Sequence, residues 1–258
     1  MRRITDVQEY REIQMSILDR IHKYCDENNL VYSLSSGTLL GAIRHKGYIP
    51  WDDDIDIYMP RDSYNSFIKN FGVQDGHYQL IDHNNRNPYH QTFAKVIDTN
   101  TEGYEQGSPI PDLGIWVDVF PVDGMPNNKV VRAFLIPFKR FFSMIIQSGI
   151  KGNRITIKYL FCRYFPIPFS WRYGLFDFII TRWPNSELIC NLSSGGPLKD
   201  RSFPKDCFSS VIDINFENRI YKAMKGWDKY LKATYGEYMK LPPEEQRIHH
   251  DFIAYIKD

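Results

Sequence analysis

Four aspartates fall within five consecutive positions of this chain, in the stretch YIPWDDDIDIYM. They are Asp52, Asp53, Asp54 and Asp56. Like charges this close repel one another, so a folded protein must compensate them with positive charge or leave them in water. Isoleucines alternate with the last aspartates, and a period of two is typical of a strand with one buried face. The alternation therefore predicts a half-buried strand that carries carboxylates.

Residues two apart in a strand share a face, so Asp54 and Asp56 should converge on a cleft. Asp52 joins them if the extended conformation begins early. Carboxylates of this kind suit Mg²⁺ or Mn²⁺, which keep several waters and bind substrate phosphates beside one or two protein carboxylates. The alternative is a solvated acidic turn after Pro50. The alternation argues against that alternative, because unpaired charge on a half-buried strand is costly.

A candidate phosphate site precedes the acidic stretch. LVYSLSS is typical of a short strand, and it leads into Ser36, Gly37 and Thr38 at the start of a helix that ends near Gly47. Free backbone N–H groups and the helix dipole favour a phosphate there. Without the acidic strand, the same turn would be an ordinary helix cap.

The same helix ends in three basic residues, Arg44, His45 and Lys46. We expect at least one of them to reach the bound phosphates. The alternative is a solvated helix end, which the C-terminal dipole also favours.

A phosphate-binding helix start followed by a D-x-D strand is similar to the core of the nucleotidyltransferase superfamily. That superfamily takes a third carboxylate from a neighbouring strand. Asp118 is the first candidate, because it is a lone charge in the apolar stretch IWVDVF. Asp123 is the second, since it precedes Gly124 and suits a turn.

Composition limits the remaining classes of protein. The chain has 258 residues, 43% hydrophobic and 24% charged, with a net charge of +1, which is typical of a globular protein and gives no indication of nucleic-acid binding. Four widely separated cysteines suggest neither a zinc finger nor a disulfide framework. The first residues, MRRITDVQEYREIQ, lack the apolar core of a secretory signal. We therefore expect a cytoplasmic protein.

The middle of the chain differs in character. Residues 129–183 hold ten Lys and Arg but one acid, Asp177, among many aromatic residues. This pattern predicts a helical insertion that docks on an anionic membrane surface or around a lipid-linked glycan, at the inner face of the membrane. The alternative is a helical subdomain with solvated basic side chains.

These patterns predict an α+β fold in three parts. A nucleotidyltransferase-like core with a mixed sheet flanked by helices should occupy residues 1–128. The basic, aromatic and mostly helical insertion follows over 129–200. Residues 201–258 should form a helical C-terminal part that packs on the core, because FENRIYKAMKGWDKYLKATYGEYM has helical periodicity.

Four stretches resemble one known family. SSGTLLGAIRHKGYIPWDDDIDIYMPRDSY closely resembles the signature of the LicD-type phosphotransferases, which include the fukutin-related proteins. The stretch GIWVDVFPVDG, the FP-x-x-x-F pattern from Phe203 to Phe208 followed by FEN, and YGEYMKLPPEEQRIHH also agree. The resemblance covers residues 30–124 and 203–250, and residues 129–183 lie outside it.

The resemblance implies a reaction. Enzymes of this family transfer phosphocholine, or a related phospho-alcohol, from a CDP-activated donor such as CDP-choline to a sugar hydroxyl of a surface glycan such as lipopolysaccharide, capsular polysaccharide or teichoic acid. Asp54 and Asp56 match the metal-binding D-x-D, and Asp118 matches the later acidic position. We expect these three to hold Mg²⁺ or Mn²⁺. Asp118 or Asp52 is the expected base, with His45 as a weaker candidate.

Three other functions compete with this interpretation. The donor could be CDP-ethanolamine or a CMP-activated aminoalkylphosphonate, which the sequence does not separate from CDP-choline. A D-x-D glycosyltransferase would need a long nucleotide-binding region before the acidic stretch, but only about fifty residues precede it. An inactive nucleotide-binding regulator would be expected to lack an acidic ligand, yet Asp54, Asp56 and Asp118 are all present.

Overall fold

A computed structural model describes residues 1–87, 89–104, 110, 112–147, 164, 166, 168–194, 199–247 and 253–258. The α-helices of these residues are α1 (Val7–Glu27), α2 (Ser36–Arg44), α3 (Arg61–Asn70), α4 (Lys129–Gln147), α5 (Phe169–Ile180) and α6 (Trp227–Tyr235). Short 3₁₀ helices lie at Lys205–Phe208 and Glu244–Gln246.

The strands in chain order are β1 (Arg2–Arg3), β2 (Ser33–Leu34), β3 (Asp56–Pro60), β4 (Val73–Gln74), β5 (Tyr78–Ile81), β6 (Ala94–Asp98), β7 (Thr101–Tyr104), β8 (Ile115–Met125), β9 (Leu188–Cys190), β10 (Phe203–Pro204), β11 (Val211–Phe216), β12 (Arg219–Met224) and β13 (Ile253–Ile256). Eight of them form the main sheet, in the order β10-β9-β8-β6-β5-β4, with β3 on β8 and β2 on β3. The β3–β8 pair is parallel and the others are antiparallel. The predicted α+β fold with a mixed sheet is confirmed.

Helix α1 packs one face on this sheet. Its start is capped by Asp6, whose carboxylate accepts a hydrogen bond from Gln8 N at 2.9 Å. Ile17, Leu18 and Ile21, at helical spacing, are fully buried in the main core. The apolar spacing from Asp6 to Asn28 predicts this helix from the sequence alone, and the structure confirms it. The helix lies behind the acidic stretch.

Strand β3 is shorter than the alternation predicts. We expected extended conformation from Asp53 or Asp54, but the strand begins at Asp56. The residues before it form a turn, in which Asp52 N donates to Ile49 O at 2.9 Å. Pro50 favours such a turn, because its ring fixes φ and it lacks an N–H group.

The insertion predicted over 129–200 contains two helices, α4 and α5, that pack on each other. Their shared core is fully buried at Ile146 and Ile180 and nearly so at Phe176. The end of this segment differs from the prediction, because Leu188–Cys190 join the main sheet as β9. The insertion therefore returns to the core before residue 200.

The C-terminal part contains more strand than its helical periodicity predicts. Helix is the wrong assignment for residues 216–224: β11 and β12 form a hairpin, and Glu217 in its turn has a φ of 53°. Burial of Phe216, Tyr221 and Ala223 against the main core outweighs local propensity. The helix starts only at Trp227, and β13 then pairs with β1 and β7.

None of the described helices is both long and apolar enough to cross a membrane.

Candidate active site

The two parallel strands β3 and β8 bring the acidic residues together. Their register places Asp56 opposite Asp118. Loss of water around the half-buried Asp56 carboxylate raises its pKa well above the usual range, and the charges of Asp54, Asp118 and Asp52 raise it further. Three of the predicted catalytic carboxylates thus act electrostatically on the fourth, Asp56. Asp123 lies five positions further along the chain and instead forms an ion pair with Arg61, with Arg61 Nε 2.7 Å from its Oδ1.

Helix α1 holds the backbone of the acidic turn. Arg11 Nη2 donates to Asp52 O at 2.9 Å, and Gln14 Nε2 donates to Asp53 O at 2.9 Å. Because these hydrogen bonds engage carbonyl groups, they fix the turn without neutralising its carboxylates directly. Sequence reasoning did not identify this role of α1, since the contacts join residues about 40 positions apart.

The start of α2 faces the acidic turn. A Cβ atom at Gly37 would lie 2.4 Å from Asp52 Oδ2, so this carboxylate approaches the helix where only glycine leaves room. Burial raises the pKa of Asp52, and a hydrogen bond with Asp54 opposes that rise. The closeness of Asp52 to the helix start is consistent with the preference of anions for that end of a helix.

Ser36 and Thr38 also connect α2 to the acidic strand. Thr38 Oγ1 accepts a hydrogen bond from Asp56 N at 2.8 Å, and a hydrogen bond from the Ser36 hydroxyl lowers the pKa of Asp56. Ser36 N donates to the hydroxyl of Tyr230 at 3.0 Å. The predicted phosphate-binding residues therefore lie beside Asp56, although these hydrogen bonds are made within the protein.

The three basic residues at the end of α2 lie away from Ser36. The nine residues of α2 span about 12 Å. Arg44 Nη1 donates to Tyr238 O at 2.8 Å, His45 packs edge-on against Trp51, and the Lys46 ammonium lies 3.4 Å from Ile43 O. Burial lowers the pKa of His45. The structure does not bring these side chains to Asp56, and their role toward phosphate stays a prediction.

A cation that sequence reasoning missed lies next to Asp118. Lys95 on β6 is fully buried, and its Nζ is 2.7 Å from Asp118 Oδ1. The register of β6 and β8 sets these residues opposite each other. Part of the acidic cluster is thus compensated by lysine. The signal was present, because Lys95 is a lone charge in the apolar strand FAKVID.

A cavity of about 140 Å³ opens beside Asp56. Aromatic side chains line part of it, among them Tyr58, Phe120 and Tyr230. Three cations also line it: Lys139 from α4, and Lys199 and Arg201 from the loop before β10. Sequence reasoning placed Lys139 only within the basic insertion and identified neither Lys199 nor Arg201, because no local pattern marks a contact across so many residues.

A larger cavity of about 910 Å³ lies at the carboxyl ends of β3 and β8. The Arg61–Asp123 ion pair forms part of its wall, together with Glu187 and Lys205. It begins at Pro60, four positions beyond Asp56 along β3. Asp52, Asp54, Asp56 and Asp118 do not line this cavity.

The donor set of the acidic cluster fits a hard divalent cation. No ion pair to Asp56 occurs within the described residues, although three other carboxylates repel it. The described Asp, Glu, His and Cys side chains contain no group of three already arranged around a metal. Magnesium does not require one, since it binds through one or two carboxylates plus water and substrate phosphate. Asp54 and Asp56 fit that requirement, whereas one oxygen of Asp118 is committed to Lys95.

Comparisons with known proteins agree with the geometry. Residues 29–144 match the family described as LicD/FKTN/FKRP, nucleotidyltransferase domain. The lipopolysaccharide cholinephosphotransferase LicD of Haemophilus influenzae is 35% identical over 271 residues, which cover 99% of this chain and 100% of that protein. An uncharacterized protein of Rickettsia prowazekii is 58% identical over 36 residues, 14% of either chain. The similarity to the Haemophilus protein extends through the segment after residue 144.

Proposed function

The chain belongs to the LicD family, and on that premise we propose that it moves phosphocholine from a CDP-activated donor to a hydroxyl group of a cell-surface glycan in a metal-dependent reaction. The observation that carries the proposal is the register of β3 and β8, which sets Asp56 beside Asp118 next to the start of α2. Full-length similarity to a lipopolysaccharide cholinephosphotransferase supports the transferred group and the class of acceptor.

Asp54 and Asp56 would hold the metal, with the second oxygen of Asp118 as a further ligand. Mg²⁺, when bound, supplies positive charge that neutralises the donor diphosphate and the charge that develops as phosphate transfers. Lys95 holds Asp118 in place, because the two groups form a buried ion pair at 2.7 Å. The hydroxyl group of Ser36 lowers the pKa of the Asp56 carboxylate through a hydrogen bond, which favours the charged form that a metal ion needs.

The acceptor hydroxyl loses its proton as its oxygen bonds to the phosphorus that carries choline. The bond from that phosphorus to the oxygen of CMP breaks, and CMP departs. Asp52 is better suited than Asp118 to take the proton. Burial raises the pKa of Asp52, which makes it the stronger base, whereas one oxygen of Asp118 is held by Lys95 in a buried ion pair.

The first test measures CMP release from CDP-choline by purified protein, with and without Mg²⁺. CDP-ethanolamine, CMP-2-aminoethylphosphonate and a nucleotide-sugar serve as competing donors. We expect metal-dependent release from CDP-choline and at least a 100-fold loss in the Asp54→Ala and Asp56→Ala variants. Selective turnover of CDP-ethanolamine or the phosphonate would reassign the head group. Selective use of the nucleotide-sugar would contradict phosphotransfer and favour a glycosyltransferase.

We also propose that the helical insertion binds an anionic membrane surface. Exposed apolar side chains on α4 and α5 support this, with Phe134 75% and Trp171 71% exposed. Among the described residues of the insertion, two basic side chains are engaged within the protein: Arg132 pairs with Asp200 at 2.8 Å, and Arg172 donates to Ile145 O. Lys129 and Arg140 are exposed. The proposal therefore depends more on aromatic insertion than on charge.

A further inference from the structure

Helix α4 buries a lysine without a carboxylate partner. Lys139 is 6% exposed, and its Nζ lies 3.4 Å from Asn191 O. Within the part of the chain that the structure describes, it forms no ion pair. Cys190 lines the same cavity, but burial raises the pKa of its thiol to about 11, so it remains neutral and supplies no counter-charge. A buried ammonium of this kind is costly unless a ligand compensates it.

Two other polar groups of the cavity lack partners within the described residues. Arg201 Nε and Thr234 Oγ1 are both inaccessible to solvent and form no hydrogen bond. Thr234 is 8% exposed and lies on α6, while Arg201 precedes β10. Buried donors and acceptors normally find partners in native proteins. Two such atoms beside the unpaired Lys139 therefore indicate a polar ligand.

The cavity is lined by charges of both signs. Asp56 lines it together with Lys139, Lys199 and Arg201. None of these cations forms an ion pair with Asp56 within the described residues, so the space between them is not closed by a protein contact. Such a cavity suits a ligand with two anionic parts. One part is a phosphate that binds the carboxylate through a metal ion, and the other carries oxygens that bind the cations directly.

We propose that Lys139, Lys199 and Arg201 form an anion subsite for the phosphate of the departing CMP. The assignment rests on the proposed function. It also makes the helical insertion part of the catalytic centre, because Lys139 lies on α4 of that insertion. When the bond between phosphorus and CMP breaks, negative charge grows on the CMP phosphate, and fixed cations stabilise it there. Thr234 Oγ1 supplies one further hydrogen bond to the same phosphate.

The cations also indicate where the choline group of the donor does not bind. Among the described residues that line this cavity, three are positive and one, Asp56, is negative, so a quaternary ammonium would meet more like charge than opposite charge. Like charges at this range repel, more strongly away from bulk water. The choline end of the donor therefore lies outside the cation-lined part, on the other side of the reacting phosphorus from CMP.

The test compares Lys139→Met with Arg140→Met, which removes an exposed cation from the next position of α4. Calorimetry at neutral pH, without metal, measures binding of CMP and of cytidine, which lacks the phosphate. We expect Lys139→Met to weaken CMP binding about 10- to 100-fold, as loss of a charge-assisted hydrogen bond does, and to leave cytidine binding unchanged. Arg140→Met should bind CMP as the wild type does, and Lys139→Arg should recover most of the affinity.

Lys139→Met should fold, because methionine replaces a buried unpaired charge with an apolar chain of similar length, and its thermal unfolding checks this. Equal CMP affinity in the wild type and in Lys139→Met would overturn the subsite, as would equal losses in both methionine variants. A parallel loss of cytidine binding would also overturn it. If CMP binding depends on Lys139 but no CMP-activated donor is turned over, the proposed function fails while the subsite stands.

Discussion

On folding, the Asp56 carboxylate loses contact with water and comes to lie near three other carboxylates. If it is a metal ligand, the protein accepts this repulsion because the metal relieves it. Asp56→Asn should therefore raise the melting temperature of the metal-free protein by at least about 2 °C, the shift that about 1 kcal/mol produces in a protein of this size. The wild type should gain stability on addition of Mg²⁺, and the variant should lose most of that gain.

Thermal unfolding with and without Mg²⁺ measures both effects of Asp56→Asn. Glu245→Gln, a change at an exposed carboxylate, is the control and should behave as the wild type. An unchanged response to Mg²⁺ in Asp56→Asn would contradict the assignment of Asp56 as a metal ligand.

We expect the affinity for CMP to depend on pH through the protonation of Lys139. Burial lowers the pKa of this lysine, and the nearby Arg201 lowers it further. The ammonium therefore loses its proton at a lower pH than an ordinary lysine, and CMP affinity should fall as pH rises through the lowered pKa. The CMP phosphate keeps its charge over this range, because its second pKa is about 6.

Calorimetry of CMP between pH 7 and pH 10 checks this dependence. Lys139→Arg supplies the comparison, because arginine stays charged throughout and should give a flat profile. The same decline in both proteins would assign the titration to another group.

At the scale of elements, Gly124 controls how closely β8 approaches the segment after α5. A Cβ atom there would lie 1.6 Å from the carbonyl oxygen of Trp183, a backbone atom that cannot rotate away. Gly124→Ala should cost about 1 to 3 kcal/mol, as overpacking does. Urea unfolding measures the change.

Gly174 gives a matched control. It lies within α5, and apart from its chain neighbours and its own helix backbone no atom of the described residues lies within 4 Å of the position that its Cβ would occupy. Gly174→Ala should stabilise the protein by about 0.5 to 1 kcal/mol, because alanine favours the helix. If Gly124→Ala and Gly174→Ala lower the free energy of unfolding to a similar extent, the close contact at Gly124 is not the cause of the destabilisation.

The elements also show what the sequence can specify. Helix α1 was predictable because its apolar period and Asp6 cap are local, and Asp118 was predictable as a strand residue from its apolar neighbours. The turn before Asp56 was not, because the alternation with isoleucine predicted a strand there. The hairpin of β11 and β12 was not, because its strands are stabilised by burial against a remote core rather than by their own propensity. Lys95 and Lys139 were missed as site residues for a similar reason, since each acquires its role from a distant chain segment.

At the scale of the whole molecule, the insertion presents exposed aromatic residues beside the catalytic half. Flotation with vesicles of anionic lipid tests the proposed docking. We expect the protein to float with such vesicles, and Phe134→Ser combined with Trp171→Ser to reduce the bound fraction at least five-fold, because two aromatic anchors are lost. Tyr104→Ser, a change at an exposed aromatic residue of β7, is the control. Failure of the wild type to float at low salt would contradict docking.

The pairing of β13 with both β1 and β7 bears on how the protein is made. A ribosome delivers all four clustered aspartates within the first quarter of the chain, while Arg201 and Thr234 emerge much later. Until then the nascent chain holds a set of mutually repelling charges, and the edges of β1 and β7 remain open. Pairings between such distant segments form slowly. A chain that ends before α6 lacks Thr234 and should lack catalytic competence. A chain that ends before β13 leaves the facing edges of β1 and β7 unpaired.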